Sequence, residues 1–396
     1  MTQLEPIYLE TLARCAPERL VRKTLRPGLP RNVVAVGKCA GALLDGVAAA
    51  HQIDHAFAAI PDGYRLPTVP ADLAIGGHPD YTAASFEAGR RLIEFVDSHA
   101  DILFLISGGG SACVELPLNP PFTAVDLAEV NAKLLASGIP IGEINIVRKH
   151  LSAIKGGRLA ARVRGRSVTL VYSDVSSGNL QDVASGPTIA DRSTNLEAAA
   201  ILERVGGCNR VVAALRQEKR AAGVAGASSS EIILVADNGT LTSTAASIIH
   251  EHALVPVEWR GQIEDDVETA AAALAARAAN LRRGEVLVAG GEPTVVRQGS
   301  GKGGRCSELA VRFVLRAAAG GPRDVAALFG SSDGLDGSSG VAGVAIDRVP
   351  AQLDRASIER DLGESNSIAA AMRLGRTIMI PPAGNNLRDL FLLARS

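Results

Sequence analysis

Aromatic residues make up only 3 % of the chain, as 8 Phe, 4 Tyr and 1 Trp, too few for the stacking platforms that hold single-stranded nucleic acid. Charge of one sign is equally scarce. The 41 basic residues balance 42 acidic ones for a formal net charge of −1, and no lysine or arginine block forms the basic stripe that a phosphate backbone requires. Nucleic acid is therefore not expected as a partner. The five cysteines, Cys15, Cys39, Cys113, Cys208 and Cys306, include no C-x-x-C pair. That spacing argues against a zinc site or a disulfide framework and fits a reducing cytoplasm. No apolar run reaches membrane-spanning length, because the Ala- and Leu-rich stretches carry a charge every few residues. The N-terminal MTQLEPIYLETLARCAPERL is amphipathic and acidic rather than basic and then apolar, so no signal peptide is expected.

Glycine, in contrast, is abundant: 41 residues, clustered after apolar runs. At 396 residues the chain exceeds what one core usually supports. Short β-branched runs at 32–37, 55–60, 101–106, 168–172, 231–236, 285–289 and 325–329 alternate with helical stretches such as 41–50, 85–98 and 240–252. This alternation predicts an α/β protein: a large Rossmann-like, doubly wound parallel sheet covered on both faces, and a second, smaller α/β domain. The small, polar stretch QEKRAAGVAGASSS at 217–230 suggests the boundary, giving domains 1–225 and 226–396.

Open parallel sheets bind ligands beyond the carboxyl ends of their strands, and here those ends share a composition. NVVAVG runs into Lys38, and DILFLI runs into Ser107-Gly108-Gly109-Gly110-Ser111. The run at 168–172 leads to Ser173-Asp174, EVLVA to GGEPT with Glu292, and VAALF to GSSDGLDGSSG with Asp333 and Asp336. Glycine, serine and aspartate also dominate ordinary turns, but five such endings are more than turn chemistry needs. The 107–111 loop suits an anion, since glycines expose backbone N–H groups and a following helix would add its positive end. It is not a Walker A loop, as no GxxxxGK[ST] occurs.

A second cluster, QGSGKGGRCSEL, sets Lys302 and Arg305 in a glycine frame with Gly303 and Gly304, before a helix. Two cations with open backbone amides suit polyphosphate or a transferring phosphoryl group. Its match to G-x-G-x-x-G at Gly299, Gly301 and Gly304 does not lie between the first strand and helix of a βαβ unit, as a dinucleotide fingerprint must. Lys38 and Arg305 are candidate clamps for phosphate oxygens. Asp174, Glu292, Asp333 and Asp336 could hold Mg²⁺ or accept a hydroxyl proton. In NIVRKHLSAIK, Arg148, Lys149 and His150 are consecutive. At most two can face one ligand, with Arg148 suited to a carboxylate, and the rest are expected to cover a surface. His78 in GGHPD is either a site group or a turn residue.

Taken in order, VGKCA (36–40), GGHPD (76–80), SGGGSA (107–112), NIVRKHLSAIKGGRLA (145–160), SDVSSGNLQDVASGPT (173–188), GGEPTV (290–295), GKGGRCSELA (301–310) and SSDGLDGSSGVAGVAID (331–347) resemble the glycerate 2-kinase family, with its MOFRL-type C-terminal domain. The resemblance covers both expected domains. It implies ATP-dependent phosphorylation of the 2-hydroxyl of D-glycerate, with Mg²⁺, in a cleft between the domains, and Lys38 and Arg305 central to catalysis. A homodimer is an admissible assembly. Nucleotide and substrate contacts are expected from Ser107 to Ser111, Arg148, Lys302, Gly303, Gly304 and Glu292, and metal contacts from Glu292 and Asp333. Asp174 is expected as the base, with a metal-ligand role as its alternative. The chain departs from the family pattern at Cys306 and Ser307, and near its end at Asn385 and Arg388, where the family carries a threonine and an asparagine. Either departure would alter the acceptor if it touched substrate. Two other functions compete with the kinase: an NAD(P)-dependent hydroxypyruvate reductase, against which the misplaced fingerprint weighs, and a non-catalytic sugar-acid-binding module.

Overall fold

All seven β-branched runs become strands in the computed structural model, and five further strands join them. The structure describes residues 4–118, 121–175, 179–217, 230–321, 323–381 and 384–395. The chain divides into two units, one spanning Pro17–Val235 and the other joining the described parts of Met1–Ala16 and Ala236–Ser396.

The Pro17–Val235 unit is built on six strands: β1 (Asn32–Val36), β2 (His55–Pro61), β3 (Asp72–Gly76), β4 (Ile102–Ser107), β5 (Ser167–Tyr172) and β6 (Glu231–Ala236). They lie in the order β3-β2-β1-β4-β5-β6, and β1 to β5 pair in parallel registers. This is the doubly wound order in which the winding direction reverses between β1 and β4. Every residue of β4 and β5 is buried, as strands covered on both faces must be. The helices begin where the sequence supplies caps: Thr82 with Ser85, Thr123 with Asp126 and Thr194 with Glu197 form reciprocal capping boxes.

The other unit has a mixed sheet of β7 (Val255–Glu258), β8 (Glu285–Gly291), β9 (Val325–Ser331), β10 (Gly343–Ile346), β11 (Arg376–Ile378) and β12 (Asp389–Arg395). The order is β11-β10-β9-β12-β8-β7. Among the described residues only β7 and β8 pair in parallel; β12 runs antiparallel to both β8 and β9. Its core gathers Phe313, Phe329 and Phe391 with Cys306, Leu309 and Leu393.

The expected boundary at 225 lies outside the described residues. The N-terminal end differs from expectation, because the helix Leu4–Arg14 belongs to the C-terminal unit. Its buried residues Leu4, Ile7, Tyr8, Thr11 and Leu12 follow the helical period. Tyr8 lies against Gly330, where a Cβ would come within 2.6 Å of its ring, and its hydroxyl donates to the Ser331 carbonyl at 2.6 Å.

Candidate active site

In the Pro17–Val235 unit the predicted residues meet at the reversal point between β1 and β4. Gly37 follows β1 in the left-handed region (φ +113), and a Cβ there would stand 2.4 Å from the Ser107 carbonyl. This close approach is what glycine permits. It brings the ends of the two strands together, and the Lys38 amide donates to the Gly108 carbonyl at 2.9 Å. The next glycines carry the site groups. A Cβ on Gly108 would lie 1.5 Å from Asp174 Oδ2, so the carboxylate rests directly on the loop. One on Gly109 would meet Lys38 Cγ at 2.8 Å and His78 Cδ2 at 3.4 Å. Lys38 Nζ lies over the Tyr64 ring, 5.5 Å from its centroid, and Tyr64 meets His78 edge-on. Lys38 and Asp174 are half-buried and His78 is exposed. A cation, a carboxylate and a glycine loop therefore share one strand-end rim, on which a phosphate and a hydroxyl can both be held.

The serines of this loop have other duties. Ser107 Oγ accepts from the Cys39 amide at 3.1 Å and donates to the Val36 carbonyl at 3.3 Å. Ser111 shares a hydrogen bond with Ser185 Oγ at 2.7 Å, which continues to Asn145 at 2.8 Å. The helix after the loop, Gly110–Cys113, is a single turn. Its dipole adds little, and attraction for an anion rests on Lys38 and the loop backbone.

The Arg148-Lys149-His150 run does not cover a surface. All three residues are buried, and each ties the helix Ile141–Leu151 to a different partner. Arg148 gives Nε and Nη2 to Asn131 Oδ1, at 3.0 and 2.6 Å, so its planar fork is spent on an amide oxygen instead of a substrate carboxylate. Lys149 lies between Asp191 at 3.4 Å and Asp182 at 3.7 Å. His150 bonds Asn195 and Ser193, and burial lowers its pKa. Nearby, Lys155 and Glu115 form a fully buried pair at 2.5 Å. Burial lowers the Lys155 pKa, against the pull of Glu115.

In the C-terminal unit Arg305 is the focus. Its Nε donates to Asp389 Oδ2 at 3.1 Å and its Nη1 reaches Glu292 Oε1 at 2.6 Å. The side chain is about one-third exposed, and Nη2 has no hydrogen-bond partner among the described residues. Burial opposes the charge, but Asp389 and Glu292 outweigh it and hold the pKa above its ordinary value. Arg305 thus presents one edge from a fixed mount. Asp389 itself is fully buried, and its Oδ1 has no hydrogen-bond partner. Burial pushes its carboxyl up to about 6, with Arg305 pulling down and Glu292 pushing up. Strand-end reasoning missed Asp389 because it begins a strand. Since β12 is antiparallel, its first residue lies opposite Gly291 and Ser331, where β8 and β9 end.

Around Arg305 the glycine frame is packed and not open. Gly301 would bring a Cβ to 2.5 Å from the Glu364 carbonyl, Gly303 to 2.0 Å from Ser367 Oγ, and Gly304 to 2.2 Å from Asp336 Oδ1. The Gly303 and Gly304 amides already donate to Ser338 Oγ and Ser307 Oγ, at 3.2 and 2.9 Å. Both amides are thus engaged within the chain. Lys302 is exposed. Asp336 accepts from the Cys306 and Ser307 amides, at 2.8 and 2.9 Å, at the start of the helix Arg305–Ala318.

The expected metal residues fit poorly. Glu292 has one oxygen on Arg305 and the other on Arg388 Nε at 3.1 Å. Asp333 Oδ1 accepts from Ser331 Oγ and the Leu335 amide, both at 2.9 Å. Among the described residues no three His, Cys, Asp or Glu side chains group as a metal site. Three of the four departures from the family pattern point inward. Cys306 is in the core, Ser307 caps its helix, and Asn385 donates to the Leu12 carbonyl at 3.1 Å. Arg388 alone reaches the Arg305 cluster.

Residues 3–218 match a domain of unknown function (DUF4147), and residues 285–389 match the MOFRL family. The chain is 31 % identical to a glycerate 2-kinase of Sulfurisphaera tokodaii, over 84 % of this chain and 82 % of that one. It is 32 % identical to a putative hydroxypyruvate reductase of Agrobacterium vitis, over 98 % and 92 %. Against a D-glycerate 2-kinase of Thermotoga maritima the identity is 31 %, over 98 % and 96 %. A crystal structure of glycerate kinase from Thermotoga maritima superposes with a TM-score of 0.85 at 29 % identity, over 99 % of this chain and 98 % of that one.

Proposed function

The chain belongs to the glycerate 2-kinase family, and from that premise we propose that it transfers the γ-phosphoryl group of ATP to the 2-hydroxyl of D-glycerate, giving 2-phosphoglycerate and ADP. The observation that carries this reading is the meeting of Lys38, Gly108, Gly109 and Asp174 at the reversal point of a doubly wound sheet.

A 2-hydroxyl is a weak nucleophile until its proton leaves. Asp174 is the base in this reading, since its carboxylate rests on the glycine loop and cannot swing far without meeting it. As the 2-oxygen bonds to the γ-phosphorus, the bond from phosphorus to the bridging oxygen of ADP breaks and the hydroxyl proton passes to Asp174. Lys38 supplies positive charge to the phosphate oxygens, a preorganised contact of the kind that dominates phosphoryl transfer. Arg305, mounted on Asp389 and Glu292, offers its remaining edge to a phosphate or carboxylate oxygen. Mg²⁺ is assigned to the nucleotide as MgATP, held by phosphates and water.

Reduction of hydroxypyruvate with NAD(P)H is the disfavoured alternative, because Gly299, Gly301 and Gly304 pack on Glu364, Asn366 and Asp336 instead of opening to a pyrophosphate. None of the five cysteines is in a disulfide, as a reducing cytoplasm keeps them, and we place the reaction there. Among the described residues no helix is long and apolar enough to cross a membrane. The test is a pair of assays on one preparation. MgATP with D-glycerate should release ADP, and NADH with hydroxypyruvate should stay unoxidised; the reverse pattern would replace the kinase with the reductase.

A further inference from the structure

Arg388 occupies the left-handed region of backbone space (φ 67), which asparagine and glycine adopt readily and long side chains rarely do. Its backbone is held there from both sides. Asn238 Nδ2 donates to the Leu387 carbonyl at 2.8 Å and to the Asp389 carbonyl at 3.1 Å, while the Ser332 amide donates to the Arg388 carbonyl at 2.9 Å. An unfavourable conformation fixed this firmly beside a charged site suggests that the side chain has a use.

The side chain is only 8 % exposed. It bonds Gln262, Glu264 Oε1 at 2.7 Å and Glu292 Oε2 at 3.1 Å. The other oxygen of Glu292 holds Arg305. Arg388, Glu292, Arg305 and Asp389 therefore alternate in sign. If Glu292 faced Arg305 alone, its charge would offset the cation that an incoming anion must reach. With Arg388 on its second oxygen, that charge is shared and the carboxylate cannot rotate away.

We propose that Arg388 is a positioning residue: by holding the second oxygen of Glu292 and sharing its charge, it fixes the edge that Arg305 presents to a phosphate or carboxylate oxygen of the substrate pair. This rests on the reading of Arg305 as the anion-holding cation.

The test is steady-state kinetics with MgATP and D-glycerate varied separately. Arg305→Lys should raise one of the two KM values and so identify the anion. Arg388→Asn should raise the same KM by about three- to tenfold, more at low salt, with kcat changed by less than about threefold. In a Glu292→Gln background Arg388→Asn should have a smaller effect, because of its two carboxylate partners only Glu264 remains. Arg388→Lys should keep KM near the wild-type value. Asparagine suits the left-handed backbone, so the melting temperature of Arg388→Asn should not fall. Unchanged KM values in Arg388→Asn, with Arg305→Lys impaired, would overturn the inference and leave the role of Arg305 intact, as would an equal rise in the Glu292→Gln background. If Arg305→Lys altered neither KM, the anion-holding reading would fall and the inference with it.

Discussion

Replacing Asp389 by asparagine separates what a buried carboxylate does for Arg305 from what it costs the fold. The native carboxyl is pushed from its ordinary 3.8 up to about 6, chiefly by burial. At about 1.4 kcal/mol per pH unit of displacement, the ionised group costs the folded chain about 3 kcal/mol at neutral pH. Between pH 3.8 and about 6 the folded state holds the proton and the unfolded state does not, so stability falls as pH rises through that window. Going from pH 7.5 to pH 5 should return about 1.4 kcal/mol, equivalent to about 3–6 °C in melting temperature for a unit of this size. Asp389→Asn has no proton to exchange. Its melting temperature should therefore exceed the wild type's by more at pH 7.5 than at pH 5, the difference being about 3–6 °C. Activity should respond with the opposite sign. Wild-type kcat should fall below pH about 6 as Arg305 loses its charged mount, while the variant starts lower and lacks that limb. The measurement is thermal unfolding of both proteins at pH 5, 6 and 7.5, with kcat at the same points. Parallel melting profiles would refute the assignment of a raised pKa to Asp389.

Other substitutions test the remaining parts. Lys38→Ala should lower kcat by about 10²–10³ with little change in folding, and Arg305→Ala by a similar factor with a lower melting temperature, since buried Asp389 loses its cation; near-normal turnover would make that residue structural. Asp174→Asn should reduce kcat by about 10²–10⁴ at an unchanged Mg²⁺ requirement, whereas a rise in that requirement, with partial rescue by excess metal, would make Asp174 a ligand. Gly108→Ala places a methyl group on the Asp174 carboxylate and should cost about 10² in kcat while the protein stays folded; a fully active variant would show that this contact is dispensable. Lys155→Met leaves Glu115 buried without its cation and should destabilise by about 3–5 kcal/mol in urea unfolding, and adding Glu115→Leu should recover most of the loss.

The parts of the site on the parallel sheet were legible in the sequence because parallel strands all deliver their carboxyl ends to one edge. A glycine- or aspartate-bearing turn after each apolar run could be read as facing that edge, which is where Lys38, Gly108 and Asp174 lie. The C-terminal unit broke that rule. Its β12 enters where its neighbours leave, so Asp389 takes part from the start of a strand, and no periodicity announces strand direction. The close packing of Gly303 and Gly304 was hidden for a different reason. A glycine needed for close packing against Ser367 or Asp336 looks, in one dimension, the same as one that exposes an amide to a ligand. The Arg148-Lys149-His150 run looked solvated because its partners, Asn131, Asp182, Asp191 and Asn195, are distant in sequence and only the fold brings them into the interior. The helix Leu4–Arg14 showed its apolar face clearly, but nothing local told which unit that face would cover.

Phosphorylation of the 2-hydroxyl can be followed by ³¹P NMR of the reaction mixture. With D-glycerate and MgATP, a resonance of 2-phosphoglycerate should appear as the γ-phosphate of ATP declines, and Asp174→Asn should slow both together. Accumulation of 3-phosphoglycerate, or decline of ATP with inorganic phosphate as the sole product, would contradict it.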